Sequence, residues 1–379
     1  MANYEPTFFA SAHFNKRKIM KKTISLLLAI VLLVSTLTAL TSCKNGDEKK
    51  ESYQTLSKTV SYVHFNTVSS IHSYGDTSVD EFDLYVKKTD ELLEKYHKLF
   101  DIYYEYSGIN NIKTINRNAG KTAVKVDKEL IDFLVYCKEL YTLTKGKTNV
   151  MLGSVLKIWH NCREEASYDF GYLNPEKLPT KERLEEANEH TSIDLLVIDE
   201  QASTVYISDP GASIDVGAIG KGYATQKLCD TLVSLGADNM ALNIGGNLRT
   251  IGLKPGGEPW VTGITNPDKS SAESLVCRVE IGSTSMVTSG DYERFFYAGD
   301  TKYHHVIDPD TLMPAAYFSS VSIITDMSGF ADALSTALFC MSYEDGLALV
   351  ESIGGIEVIW IDLDYNMKTT PGVKILPLK

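Results

Sequence analysis

Five short stretches of this chain carry more glycine, carboxylate, hydroxyl and imidazole than a core requires. In ADALSTA, residues 331–337, Asp332 and Thr336 stand four positions apart. On a helix they lie one turn apart and face the same way. A carboxylate and a hydroxyl converging on one point are hard oxygen donors suited to Mg2+. A helix N-terminal Asp with a Thr bonded back to a carbonyl would leave the same signature. In DVGAIGKGY, residues 215–223, small residues let a backbone approach a ligand closely, and the helix that follows offers free amides and a positive dipole end to an anion. Lys221 adds a full charge there. The run lacks Walker spacing, and a bare strand-to-helix glycine turn has the same composition. NIGGN (243–247) and TSGDYER (288–294) each read as a strand running into a turn, the first through Gly245 and Gly246. In HHVIDP (304–309) a histidine at a strand end could present an acid or base, although a single histidine is also a common structural residue.

These segments need elements to hold them. Alternation over 60–74 predicts one or two strands. Ser78 caps a long amphipathic helix whose stripe is Phe82, Val86, Thr89, Leu93, Tyr96, Phe100 and Tyr103. Asp127 caps a second helix over 128–144. Residues 161–190 are polar and read as a surface excursion with a helical stretch at 181–188. A hairpin follows at 195–199 and 204–207. The 215–219 segment leads into a helix reaching Leu235, with Gly236 as its stop. Strands are expected at 241–244, 260–264, 275–281, 285–288, 304–308, 319–325, 358–362 and 367–370, and helices at 329–341 and 342–352. Ser342 and Asp345 form a capping box for the last of these helices. Helices and strands mix without regular βαβ alternation, which makes the fold class α+β.

The amino end is a different kind of sequence. Lys16, Arg17, Lys18, Lys21 and Lys22 precede an uncharged, mostly apolar run over 23–40 and then Leu40-Thr41-Ser42-Cys43. Charge, apolar core and small residues before a cut site are the parts of a secretory signal. The last four residues resemble the bacterial lipobox, in which the cysteine is diacylated and becomes the first mature residue. Two acyl chains anchor stably where one binds marginally. An uncleaved transmembrane anchor is the competing reading, because the run is near spanning length. Met20 is a more ordinary start than Met1. The expected organisation is a signal at 1–42, a lipid-anchored polar tether at 43–53 and one folded domain at 54–379, outside the cytoplasm on the cell membrane. The net charge is −12; residues 1–42 carry five basic side chains and Glu5, so the chain from Cys43 onward stands near −16. No basic stripe remains, which argues against nucleic acid. Cys137, Cys162, Cys229, Cys277 and Cys340 are an odd set without Cys-x-x-Cys spacing, and read as buried thiols rather than disulfides or a zinc site.

In this order, DVGAIGKGYA (215–224), NIGGNLRTIG (243–252), TSGDYERFF (288–296), HHVIDPDT (304–311) and ADALSTALF (331–339) resemble the ApbE family of FAD:protein FMN transferases. Fainter matches are an early strand at Phe65-Asn66-Thr67 and the segment 146–159. The resemblance implies an α+β flavin transferase domain, with mixed sheets and packed helices and a cleft for FAD and Mg2+. It implies Mg2+ ligands at Asp332, Thr336 and the carbonyl of Ala218. It places FAD contacts at Ala218, Lys221, Gly245, Gly246, Ser289, Gly290 and Asp291, and catalytic roles at His305 and Lys221. The chain departs from the family pattern at Phe65-Asn66-Thr67, at Thr148-Asn149-Val150-Met151 and at Asn247.

The reaction so implied moves FMN from FAD to a Ser or Thr hydroxyl of an exported acceptor protein, with AMP leaving. Acceptors would be proteins with FMN-binding domains, such as redox-pump subunits or extracellular electron-transfer proteins. An FAD pyrophosphatase and a non-enzymatic flavin-binding lipoprotein are the alternatives.

Overall fold

A strand that alternates inward and outward residues can bury both of its faces only when layers cover it on either side. Phe318–Thr325 and Glu357–Asp362 are buried along nearly their whole length, so the sheet they belong to lies between two layers. A computed structural model describes residues 54–378 and places that sheet at the centre. The signal, the tether and Cys43 lie outside the described residues. Tyr53–Lys379 forms one compact unit.

The strands are β1 (Gln54–Ser61), β2 (Ser69–Gly75), β3 (Val124–Lys125), β4 (Leu196–Asp199), β5 (Thr204–Ile207), β6 (Met240–Ile244), β7 (Asn247–Ile251), β8 (Trp260–Thr265), β9 (Leu275–Ile281), β10 (Ser285–Gly290), β11 (Phe295–Ala298), β12 (Thr301–His304), β13 (Phe318–Thr325), β14 (Glu357–Asp362), β15 (Met367–Thr369) and β16 (Lys374–Leu376). The helices are α1 (Val79–Phe100), α2 (Ile112–Arg117), α3 (Lys128–Leu143), α4 (Gly153–Ala166), α5 (Lys181–Asn188), α6 (Gly220–Ser234), α7 (Ser328–Phe339) and α8 (Tyr343–Ile353). The central sheet has the order β1-β2-β6-β7-β10-β13-β14-β15, every neighbour antiparallel. Val287, Val321, Ile323, Val358 and Trp360 face the core beneath α7. Their in-between neighbours Met286, Ile324, Ile359 and Ile361 pack against Trp260, Ile264, Cys277 and Val279 of the β16-β9-β8 sheet on the other side. The α+β class is therefore the observed one, arranged as helices, an antiparallel sheet and a second small sheet.

Ser78 closes a full capping box on α1 with Glu81, and Asp127 caps α3, as the sequence predicts. Three expectations need correction. Phe65-Asn66-Thr67 is no strand: His64–Asn66 is a 3-10 turn in which Phe65 and Asn66 take left-handed φ values of 55° and 53°. The expected 304–308 strand is shifted, because β12 ends at His304 and pairs with Phe295 of β11. The 161–190 excursion begins inside α4, whose Val155, Ile158, Trp159, Cys162 and Ala166 pack on Phe296, Ala298, Ile307 and Leu312. All five cysteines among the described residues are free and buried.

Candidate functional site

Two helices that cross closely need glycine where their backbones meet. At the α6–α7 crossing a Cβ on Gly222 would stand 2.4 Å from the Ser328 carbonyl oxygen and 2.5 Å from Asp332 Cβ. Gly222 therefore serves helix contact, not the close approach of a ligand that composition suggests. The contact lets the Gly222 N–H donate to Asp332 Oδ2 at 2.8 Å. Ile219, at the N-cap of α6, supplies no side-chain cap. The buried Asp332 carboxylate does so from the neighbouring helix.

This arrangement changes what the start of α6 offers. The amides of Gly220 and Gly222 are taken, by the Val216 carbonyl at 2.8 Å and by Asp332, so the free amides expected for an anion are reduced. In an uninterrupted helix the Gly222 amide would return four residues to the Ala218 carbonyl. Given to Asp332 instead, it leaves that carbonyl free of the helix ladder. Lys221 Nζ stands 3.5 Å from Asp332 Oδ1. Thr336 Oγ1 reaches the Asp332 carbonyl only at 3.4 Å, a long back-bond that leaves the hydroxyl oxygen open to a second partner. The Asp332 carboxylate, the Thr336 hydroxyl and the Ala218 carbonyl are all hard oxygen donors.

The sheet brings the next segments. Ser289 lies two residues beyond Val287 on β10 and so points to the same face, toward α7. Its hydroxyl meets Ser335 Oγ at 2.8 Å, and Ser335 donates to the Asp332 carbonyl at 2.9 Å. Ser335 was not singled out in the sequence, although it sits between Asp332 and Thr336. Gly245 and Gly246 form the two-residue β6–β7 turn, with φ of 56° and 91°. Two consecutive positive φ values are what a twisted hairpin turn requires, hence glycine at both. A Cβ on Gly245 would also strike the Thr67 side chain at 2.4 Å. Because Asn247 pairs with Val287, this turn lies at the sheet end that β10 follows toward Ser289 and Gly290. The Asn247 Nδ2 is buried there without a partner.

The two histidines part company. His304 is buried and donates from Nε2 to the Ala315 carbonyl at 2.8 Å, a structural bond. His305 points elsewhere, with a buried Nδ1 that has no partner. Its imidazole is held well below the usual histidine range, first by burial and then by the positive charges of Arg294, Arg163, His304 and Lys221. Asp308, in the same segment, is buried and paired with Lys147 at 2.8 Å, which ties the 146–159 segment to the histidine turn. Asp291 is buried, with its Oδ2 in an ion pair with Lys302 at 2.6 Å. Gly290 is packed against the Tyr292 ring, 2.8 Å from where its Cβ would be.

Asp215 contributes a carboxyl whose Oδ1 accepts from the Gly217 amide at 2.9 Å. Burial pushes it above the usual carboxylate range, against the opposing pull of that amide and of His160, Arg163 and Arg294. Two surface hollows, one lined by Lys121, Val197 and Tyr206 and the other by Leu253, Glu280 and Glu357, contain none of these site residues.

The chain has known relatives. The sequence model of the ApbE family matches residues 65–360. A relative in Treponema pallidum, named FAD:protein FMN transferase, is 31% identical over 278 residues, covering 69% of this chain and 73% of its own. A relative of the same name in Vibrio cholerae is 29% identical over 289 residues, covering 75% and 80%. Among solved structures, the ApbE protein of Thermotoga maritima superposes with a TM-score of 0.69 at 27% identity, over 84% of this chain and 97% of that one. The flavin transferase ApbE from Vibrio cholerae gives 0.68 at 26%, with the same coverage. Sequence match and fold agree: the chain belongs to the ApbE family.

Proposed function

We propose that this chain is an FAD:protein FMN transferase that moves FMN from FAD to a Ser or Thr hydroxyl of an exported acceptor protein. The observation that carries the reading is the Asp332 corner. The Asp332 carboxylate gathers Lys221 and the start of α6, and the Asp332 backbone carbonyl accepts from the hydroxyls of Ser335 and Thr336. The acceptor hydroxyl oxygen forms a bond to the FMN phosphorus, and the bond from that phosphorus to the AMP phosphate oxygen breaks. AMP carries away the electron pair, and the hydroxyl proton goes to a base.

His305 is suited to take that proton, since its imidazole is neutral at physiological pH and its Nδ1 has no partner. Lys221 supplies fixed positive potential beside the phosphates. Asp332, Thr336 and the Ala218 carbonyl fit Mg2+ by donor type, and such a site keeps positions for water and substrate phosphate oxygens. A bound Mg2+ would neutralise charge on the diphosphate.

The test is incubation of the full chain with FAD, Mg2+ and a candidate acceptor carrying an FMN-binding domain, read by intact mass. The acceptor is expected to gain one FMN less a water, with AMP released. Free FMN and AMP with no labelled acceptor, across several acceptors, would replace the reading with a pyrophosphatase. Stoichiometric FAD binding without turnover would leave a flavin-binding lipoprotein.

The reading includes an outside address. Lys16 to Lys22, the apolar run and Cys43 support export and lipid attachment. Among the described residues no helix is long and apolar enough to cross a membrane. Expressed in a bacterial host, the chain is expected in the membrane fraction, and Cys43→Ser is expected to move it out. Equal membrane retention of both would overturn the lipid anchor.

A further inference from the structure

Arg163 and Arg294 come from distant parts of the chain and neither forms an ion pair among the described residues. The fold nevertheless brings them to one place. Trp159 of α4 stacks on Tyr303 of β12, with centroids 5.8 Å apart, and Tyr303 stacks on Phe296 of β11 at 5.4 Å. Arg163 lies one helical turn beyond Trp159, on the same side of α4. Arg294 lies two residues before Phe296. The chain leaving α4 is tied to the same hairpin where the Leu173 amide donates to the Tyr297 carbonyl at 2.7 Å.

The two guanidiniums sit close enough that Arg294 helps to lower the Arg163 pKa, after burial, and both act on His305 and on Asp215. One neighbour orients Arg163: its Nη2 donates to His160 Nδ1 at 2.8 Å, an acceptor role that requires a neutral imidazole. Burial, followed by Arg163 itself, holds that imidazole below its usual range. Tyr103 packs on the His160 ring at 5.3 Å and steadies it. In a chain of net charge −12, two arginines thus stand near the buried Asp215 carboxyl without an ion-pair contact to it, beside a histidine whose buried Nδ1 has no partner. Like charges so placed repel unless an anion joins them, and a planar guanidinium fork matches a phosphate.

We propose that Arg163 and Arg294, with His160 orienting the first, form a clamp that holds a phosphate of the dinucleotide substrate beside His305. The proposal rests on the transferase reading for the identity of that substrate, and on the arginine geometry for the clamp. Lys221 serves the Asp332 corner, and the clamp gives the diphosphate a second positive wall. His160 and Arg163 lie on α4, outside the segments that mark the family in this sequence, whereas Arg294 lies within one of them, 288–296.

The test measures binding without turnover. Dissociation constants for inorganic pyrophosphate, AMP and riboflavin are determined on the full chain with Mg2+ present, for the unsubstituted protein and for Arg163→Gln, Arg294→Gln, the double variant and Arg294→Lys. Each glutamine is expected to weaken pyrophosphate and AMP by roughly tenfold or more, as loss of a charge-assisted contact does. Riboflavin, which has no phosphate, is expected to bind unchanged, and Arg294→Lys to recover only part of the loss because the fork is gone. Unchanged pyrophosphate binding in the double variant overturns the clamp, as does an equal loss of riboflavin affinity or no pyrophosphate binding by the unsubstituted chain. Arginine-dependent pyrophosphate binding in a chain that transfers no FMN would sink the transferase reading and leave the clamp. FMN transfer by a chain whose double variant still binds pyrophosphate fully would do the reverse.

Discussion

Asp332→Ala is expected to cut FMN transfer by about a thousandfold or more. Stabilising charge on a reacting phosphate through a metal contributes several kcal/mol, and each ~1.4 kcal/mol is a factor of ten in rate. Asp332 is the only carboxylate of the proposed oxygen donor set, so no neighbour can replace it. It is 4% exposed and also accepts the Gly222 amide at 2.8 Å, so its removal strands that amide at a cost of about 1–3 kcal/mol of stability. Asp332→Asn separates the two effects. Its amide oxygen can still accept from Gly222 while the negative charge is lost, so this variant is expected to fold near normally and to fail in transfer. Gly222→Ala approaches from the other side, since its Cβ would meet the Ser328 carbonyl at 2.4 Å and push α6 off α7. Such overpacking costs about 1–3 kcal/mol, and here it also moves Lys221 away from the carboxylate. Intact-mass transfer assays alongside urea unfolding read both quantities. Normal transfer by a folded Asp332→Asn would remove Asp332 from the mechanism.

The contrast between Asp332 and Asp291 shows what a sequence discloses about such a site. Both carboxylates lie in segments rich in small and polar residues, and type and spacing do not distinguish them. Only the fold does, by putting Lys302 within 2.6 Å of Asp291 and the start of α6 against Asp332. Elements with strong local signals are legible. Lys181–Asn188 and Leu275–Ile281 have the bounds that periodicity gives, and the Ser78 and Asp127 caps stand where hydrogen-bonding side chains precede apolar stripes. The α4 helix is hidden because Asn161, Arg163, Glu164 and Glu165 make its second half look solvent-exposed, while Cys162 and Ala166 alone turn inward. The turn at His64–Asn66 is hidden because a left-handed Phe65 has no local signature and is held by tertiary packing against His97 and Phe100. The glycines at 220 and 222 are visible, yet their cause is not. A helix crossing and a phosphate loop ask for the same small residue.

His305→Ala is expected to slow transfer between a hundredfold and ten-thousandfold, the usual span for losing a positioned base. The pH profile gives the sharper test, because the sign follows from the surroundings. A base works in its neutral form. Burial and the charges of Arg294, Arg163, His304 and Lys221 all favour that form, so the free enzyme loses its base only well below pH 6.5. The acid limb of kcat/KM, which reports the free enzyme, is therefore expected below 6.5, with activity held through mildly acidic conditions. A bound diphosphate places negative charge beside the same imidazole and favours its protonated form. The acid limb of kcat, which reports the bound complex, is expected at a higher pH than that of kcat/KM. Arg294→Gln removes one of these positive neighbours, and should move the kcat/KM limb upward toward the ordinary histidine range. His304 offers the contrast, for its ring is committed to the Ala315 carbonyl at 2.8 Å and its influence on His305 is smaller than that of Arg294; changing it should lower stability and move the kcat/KM limb less than Arg294→Gln does. A kcat/KM limb at or above 6.5, or one that Arg294→Gln leaves in place, would mean that the proton goes to some other group.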